Sequence, residues 1–197
     1  MKREEKSIEV LFITKNKHKF QEAKLIAESY GIKLVQSQVE KIEIQSDNLE
    51  EIVLYASRNL PQEVRNRIYI LEDAGLFVEK LNGFPGPYSS YVFKTLGCRG
   101  IITLLKNHKK PWRAYFKSVV LLHLPDKGDL IFVGITKGII SDKIRGSKGF
   151  GFDPIFIPNE IGGKTYAELS IIEKNEVSHR GKAMRAAFEY LKFILEK

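Results

Sequence analysis

Ile68-Tyr69-Ile70-Leu71-Glu72-Asp73-Ala74-Gly75 is the stretch on which the reading of this chain turns. Four apolar residues in a row read as a buried strand, of the kind that lies in a sheet covered on both faces. Its carboxyl end delivers two acids, and Gly75 predicts a turn directly after them. Ligand sites of α/β proteins form outside strand carboxyl ends, so Glu72 and Asp73 stand where chemistry is expected. The plainer alternative, a surface salt bridge or a turn cap, leaves two carboxylates in a place that is costly after so apolar a strand.

Upstream, Ile8 to Ile13 reads as a mostly buried strand that ends in polar Thr14-Lys15-Asn16-Lys17-His18-Lys19. Phe20, Ala23, Ala27 and Tyr30 follow at helical spacing, with Gly31 where a helix-ending glycine belongs. Ile32 to Val35 is a second short strand. Asp47-Asn48-Leu49-Glu50 has capping-box spacing, which predicts Asp47 as N-cap and Glu50 as its reciprocal partner. Leu49, Ile52, Val53, Ala56 and Leu60 then mark one buried helix face, stopped by Pro61.

Downstream, Asn82-Gly83 and Phe84-Pro85-Gly86-Pro87 form an irregular loop, and Ile101 to Leu105 is helical. Ala114 to Leu124 and Leu130 to Thr136 are β-rich runs around the hairpin signal Pro125-Asp126-Lys127-Gly128-Asp129. A glycine-punctuated loop from Gly146 to Pro158 leads into Ile155-Phe156-Ile157. The chain closes on a long helix, with Ser178 as N-cap and Met184, Ala187, Phe188, Leu191 and Leu195 as its apolar stripe. This order is mixed α/β, and the adjacent β-rich runs of the second half predict a partly antiparallel sheet. No repeat or linker interrupts residues 1–197, which read as one domain.

Composition narrows the function classes. The 197 residues carry 32 Lys+Arg against 24 Asp+Glu, a formal net charge of +8, and 43% are hydrophobic. That is enough apolar surface for a real core, which excludes a disordered or fibrous chain. No apolar run approaches the roughly 20 residues that span a bilayer. Met1 to Lys6 is charged, but Val10-Leu11-Phe12-Ile13 is too short for a signal-peptide core. Cys98 is the single cysteine and, without a zinc-spaced Cys/His set, is read as a half-buried small residue. A soluble, cytoplasmic protein without a membrane partner is expected. The charge leaves open a nucleic-acid binder or a site for small polyanions.

Where the charges lie favours the second. Basic residues gather at Lys15, Lys17, Lys19 and Lys24, at Lys106 to Lys117, and at Lys174, Arg180, Lys182 and Arg185. Acids gather at Glu40, Glu43, Asp47, Glu50 and Glu51, with Glu72 and Asp73 beyond. Clustered carboxylates repel a phosphate backbone, whereas an enzyme acting on phosphates with Mg²⁺ needs both signs.

Four constellations carry chemistry. Thr14 to Lys19 is a strand-to-helix junction whose free N–H groups, dipole and lysines suit a polyphosphate, although no Walker A spacing exists anywhere. Glu43, Glu72 and Asp73 are hard oxygen donors for Mg²⁺, and one of them could accept a proton from an attacking water. In Gly149-Phe150-Gly151-Phe152-Asp153-Pro154 the glycines permit close approach, the rings can stack on a base, and Asp153 can accept base N–H groups. Ordinary core packing is the default for both phenylalanines. Lys174 with Ser178-His179-Arg180-Gly181-Lys182 could close over phosphates or base oxygens, while His179 lacks any nucleophile in motif context.

In this order the motifs resemble those of the inosine triphosphate pyrophosphatase family, from Phe12 to Arg185. The family's [ST]-x-N-x-x-K signature is similar to Thr14 to Lys19, and its [DE]-D-[SA]-G-L strand end to Glu72 to Leu76. Gly83 to Ser89, Gly149 to Phe156 and Ser178 to Ala183 resemble three further family motifs, and Glu43-Ile44-Gln45 resembles a segment of the archaeal branch. The resemblance implies an elongated mixed β-sheet with flanking helices, forming two lobes around a central cleft, in a homodimer. It implies Mg²⁺-dependent hydrolysis of deaminated purine nucleoside triphosphates such as ITP, dITP and XTP to the monophosphate and pyrophosphate, with no stable nucleic-acid partner.

By the same resemblance Asp73 is the catalytic acid and a metal ligand, Glu43 the second metal carboxylate, and Lys19 a catalytic cation. Thr14, Lys15, Asn16, Lys17, His18, Lys19 and Ala74 fall to substrate binding at the phosphate end. Phe150, Gly151, Phe152, Asp153, Lys174, His179 and Arg180 fall to base and substrate contacts. Lys15 and His18 depart from the small residues usual there, Ala74 from serine and Phe152 from tyrosine. Two competing readings remain: a basic nucleic-acid-binding domain without catalysis, and the same chemistry with a different base preference, as in the Maf-like pyrophosphatases.

Overall fold

A computed structural model describes residues 8–195; the charged segment from Met1 to Lys6 lies outside the described residues. The chain runs β1 (Ile8–Ile13), α1 (Lys17–Ser29), β2 (Ile32–Ser37), α2 (Leu49–Arg58), α3 (Gln62–Arg65) and β3 (Tyr69–Val78). It continues with β4 (Pro85–Gly86), α4 (Ser89–Thr95), α5 (Gly97–Leu105), β5 (Arg113–Leu124), β6 (Gly128–Ile140) and β7 (Phe156–Pro158). Helices α6 (Ile171–Val177) and α7 (His179–Leu195) end it. The main sheet order is β2-β1-β3-β5-β6-β7, with β4 paired to β3. β1 pairs in parallel with β2 and β3, and every pairing from β3 to β7 is antiparallel. The mixed sheet expected from the β-rich second half is therefore present.

The strands alternate strictly between two cores, as period-2 side chains must when both faces are covered. Val10, Phe12, Ile70, Val120 and Leu122 pack under α1 and α7, beside Ala23, Ala27, Met184 and Phe188. Leu11, Ile13, Tyr69, Leu71, Val119 and Leu121 pack on the other face against Leu49, Ile52, Val53, Ala56 and Leu60. A third core lies farther along the same strands. There Leu76, Val78, Ala114, Phe116 and Ile140 meet Val92, Ile101, Leu105, Phe152 and Tyr166. The cleft opens where β3 passes from the first two cores to the third.

Two local expectations fail here. β3 does not end at Asp73: it runs ten residues, and Gly75 sits inside it, opposite Lys117 of β5. The glycine serves close approach instead of a turn, because a Cβ there would lie 2.2 Å from the Gly86 carbonyl oxygen of β4. The N-cap of α2 is Asn48, not Asp47; its side chain accepts the Glu50 and Glu51 N–H groups at 2.8 and 3.3 Å. Smaller departures follow the same cores. Leu195 is half-exposed at the last turn of α7, where Ile194 instead packs against the first core, and Cys98 is buried in the third core.

Candidate active site

Asn16 builds the first wall. Its side chain accepts the N–H groups of His18 and Lys19 at 3.0 and 3.1 Å, the N-cap that starts α1. Thr14 Oγ1 accepts the Asn16 N–H at 3.1 Å, which fixes the strand-to-helix junction. Thr14, Lys15, Asn16 and Lys19 line the cleft, whereas Lys17 is exposed and does not. Two helical steps of about 100° put Lys17 and Lys19 on nearly opposite sides of α1. His18 also turns away: its ring stacks on Phe150 at 5.2 Å and lines a smaller neighbouring cavity of 260 Å³.

Strand alternation separates the two acids of β3. Glu72 shares the face of Ile70 and is wholly buried, whereas Asp73, on the other face, stays partly exposed; both contribute to the cleft wall. Glu72 is completely buried and meets Lys19 at 2.8 Å, Arg180 at 3.1 Å and the Ser118 hydroxyl at 2.7 Å. Burial alone would raise its pKa; Arg180 and Lys19 overcome that and hold it far below the ordinary carboxylate range. Asp73 lies 3.7 Å from Lys19 and accepts its neighbour Ala74's N–H at 2.9 Å. Burial pushes the Asp73 pKa up, Lys19 opposes this, and the Glu72 charge adds to it. Adjacent residues thus become a permanently ionised anchor and a carboxylate with raised proton affinity.

A residue that motif reading missed ties the floor together. Glu22 of α1 takes Lys174 on Oε1 at 2.7 Å and Arg180 on Oε2 at 2.5 Å. Lys174 also reaches Asp153 at 2.6 Å. A continuous line of alternating charge therefore runs Asp153–Lys174–Glu22–Arg180–Glu72–Lys19–Asp73. The available signal was an acid one turn beyond Lys19 and beside buried Ala23, on the face of α1 turned to the core.

Phe150 gives the cleft an aromatic wall. Gly149 has φ +73, and a Cβ there would fall 2.1 Å from Asp153 Oδ2, so only glycine lets the Phe150 N–H donate to that carboxylate at 2.8 Å. The Lys174 ammonium and the Arg180 guanidinium lie 4.8 and 5.4 Å from the Phe150 ring centre. Phe152 is buried against Phe93 and serves the core, as its default reading had it. Asp153 is buried and spent on Lys174 and Phe150, which leaves little of it for a ligand. His179 lies flat on Phe116 at 4.5 Å. Burial, reinforced by Arg180 and Lys174, pushes its pKa well below the ordinary value, so the imidazole is neutral.

Residues 39–43, between β2 and α2, form the opposite lip. There Lys41 pairs with Glu43 at 2.7 Å and Lys15 with Glu40 at 3.2 Å. Glu72, Asp73, Ala74, Phe150, Gly151, Phe152, Asp153, Lys174, His179 and Arg180 line the same cleft of 830 Å³, together with Glu43 and Lys19. Among the described residues no three His, Cys, Asp or Glu side chains form a ready-made metal cage. The central basic group is partly spent elsewhere, Lys110 on Asp142 and Lys117 on Glu50.

The sequence from residue 10 to residue 190 matches the model of the Ham1 family. The chain belongs to the Ham1 family. It is 46% identical over 183 residues to the dITP/XTP pyrophosphatase of Hyperthermus butylicus, covering 93% of this chain and 94% of that one. Identity to the dITP/XTP pyrophosphatase of Pyrococcus horikoshii is 46% over 189 residues, covering 96% and 100%. Among solved structures, the Ham1 protein of Staphylococcus aureus is similar with a TM-score of 0.79 at 30% identity, covering 96% of this chain and all of that one. The HAM1 protein of Coxiella burnetii is similar at 0.76 and 27%, covering 96% and 98%. The resemblance drawn from the five motifs, Phe12 to Arg185, therefore falls within the matched residues 10–190. No described helix is long and apolar enough to cross a membrane.

Proposed function

We propose that this protein hydrolyses deaminated purine nucleoside triphosphates (ITP, dITP and XTP) to the monophosphate and pyrophosphate, and so cleanses the nucleotide pool. It is a nucleoside triphosphate pyrophosphatase with Mg²⁺ as cofactor. One observation carries the reading: a single cleft brings together the carboxylates Glu43 and Asp73, Lys19, and a Phe150 ring flanked by the fixed cations Lys174 and Arg180. That is the layout of a triphosphate with a purine.

The donor set fits Mg²⁺. Glu43 and Asp73 are hard oxygen donors, and such ions commonly take one or two carboxylates, with waters and substrate phosphates for the rest. Glu43 and Asp73 would hold the cation, which would supply charge neutralisation and polarisation of phosphate oxygens. Asp73, ionised and facing the cleft, accepts the proton of the attacking water. The water oxygen bonds to the α-phosphorus as the bond to the α,β-bridging oxygen breaks, and pyrophosphate leaves. Lys19, held by Glu72, offsets charge developing on the phosphates. The Asn16-capped start of α1 lines the same cleft.

Lys174 and Arg180 supply the discrimination against adenine, though not against guanine. A 6-oxo purine offers an acceptor to Lys174 and Arg180, whereas the 6-amino group of adenine sets donors against donors. Phe150 supplies a stacking face. We take the enzyme as a cytoplasmic homodimer; exposed Tyr91, Leu96 and Leu104 around α4 and α5 support a surface covered by a second copy. The test is pyrophosphate release from ITP, dITP, XTP, GTP and ATP, with and without Mg²⁺. Preference for the deaminated purines is expected. Salt-sensitive RNA or DNA binding without Mg²⁺-dependent release from any triphosphate would overturn the reading, and a pyrimidine preference would replace the base assignment.

A further inference from the structure

Lys41 has no part in the chemistry described so far, yet it holds Glu43, a cleft acid that comes from an irregular segment. Its ammonium lies 2.7 Å from Glu43 Oε1, and its side chain is 20% exposed against 55% for Glu43. Both side chains line the same cleft as Asp73.

The second cation near Asp73 behaves differently. Lys19 is fixed on the first turns of α1 and anchored by wholly buried Glu72 at 2.8 Å. Lys41 stands on residues 38–48, which form no helix or strand, and Glu43 is its one ion-pair partner among the described residues. A long, flexible side chain on such a segment can leave its carboxylate without disturbing the core. A divalent cation arriving between Glu43 and Asp73 meets a like charge there, and only Lys41 is free to withdraw.

We propose that Lys41 is a displaceable counter-ion, a positioning residue that holds Glu43 at the cleft beside Asp73 until a divalent cation takes its place. This rests on the assignment of the cation to Glu43 and Asp73. The device keeps the carboxylates compensated in the resting protein and weakens cation binding until a triphosphate brings further negative charge.

Calorimetric titration of the nucleotide-free protein with Mn²⁺ alone tests the idea without reference to turnover. Lys41→Met and Lys41→Gln should each bind Mn²⁺ about 3- to 10-fold more tightly, the scale of removing one partly exposed charge. Lys41→Arg keeps the charge and should stay within about twofold of the unmodified protein. Glu43→Gln should bind more weakly. If both neutral variants bind Mn²⁺ no more tightly while Glu43→Gln weakens it, the counter-ion role is wrong and the cation site stands. If Glu43→Gln and Asp73→Asn bind as tightly as the unmodified protein, the cation assignment and this proposal fall together.

Discussion

The floor and the lip of the cleft are built from the same residue types and obey different physics. On the floor, Lys174, Glu22, Arg180 and Glu72 are at most 4% exposed along their side chains, and each touches charges on two sides or more. At the lip, Lys15 and Glu40 are 65% and 91% exposed, and their 3.2 Å pair is isolated. Removing a buried partner strands the others in a medium that cannot solvate them, whereas an exposed pair exchanges its partner for water at little cost. A cleft for a polyanion profits from both. The floor holds its cations rigidly where a ligand must find them, and the lip can rearrange as the ligand arrives.

Asp73 joins the two regions, and its substitution should have the largest effect. Asp73→Asn is expected to lower kcat for pyrophosphate release by about 10²- to 10⁴-fold, the usual contribution of a positioned base. Its raised pKa means that the fold disfavours the charged form, so the melting temperature should stay level or rise. A fully active variant would remove Asp73 from the chemistry. Glu22→Ala comes next. It leaves Lys174 and Arg180 without their shared carboxylate, and urea unfolding should show a loss of roughly 3–5 kcal/mol. A loss below 1 kcal/mol would erase the distinction between floor and lip.

A smaller effect comes from His179. Its folded pKa lies well below the ordinary 6.5, so the unfolded chain takes up the proton first. The contribution is complete above pH 6.5 and is lost as the pH falls below it, by up to about 1.4 kcal/mol per pH unit. Melting temperatures measured between pH 7.5 and 5 should fall with acid, and His179→Gln should flatten that slope. The smallest effect belongs to the lip. Lys15→Ala should change stability by less than about 0.5 kcal/mol, and raised salt should shrink the difference further. A large, salt-insensitive loss would make the lip a second floor.

Much of this architecture is legible in the chain. β1, α1 and β2 follow from an apolar run, helical spacing and Gly31, and the hairpin of β5 and β6 from two β-rich runs around a turn. Errors fell where local signals competed. Gly75 carries a turn signal, but ten consecutive pairings of β3 with β5 keep the strand straight through it. Asp47 and Asn48 are both capable caps, and only the backbone selects the second. Helix α6 escaped notice although Ser170 and Glu173 form its capping box. Within the site, Lys17 was grouped with Lys19 by proximity in sequence, and the turn of the helix parts them.

The sequence by itself determined the order of elements, the motifs and the pairing of carboxylates with cations that points to a triphosphate. Those are local properties, carried by side-chain type and spacing. Tertiary structure alone decided which charges are anchors and which are free to act. Glu72 and Asp73 are adjacent and nearly alike, yet one is wholly buried on Arg180, more than a hundred positions away, and the other stays partly open to solvent in the cleft. The cost of a charge depends on the solvent it loses and the partners it gains, and distant segments supply both.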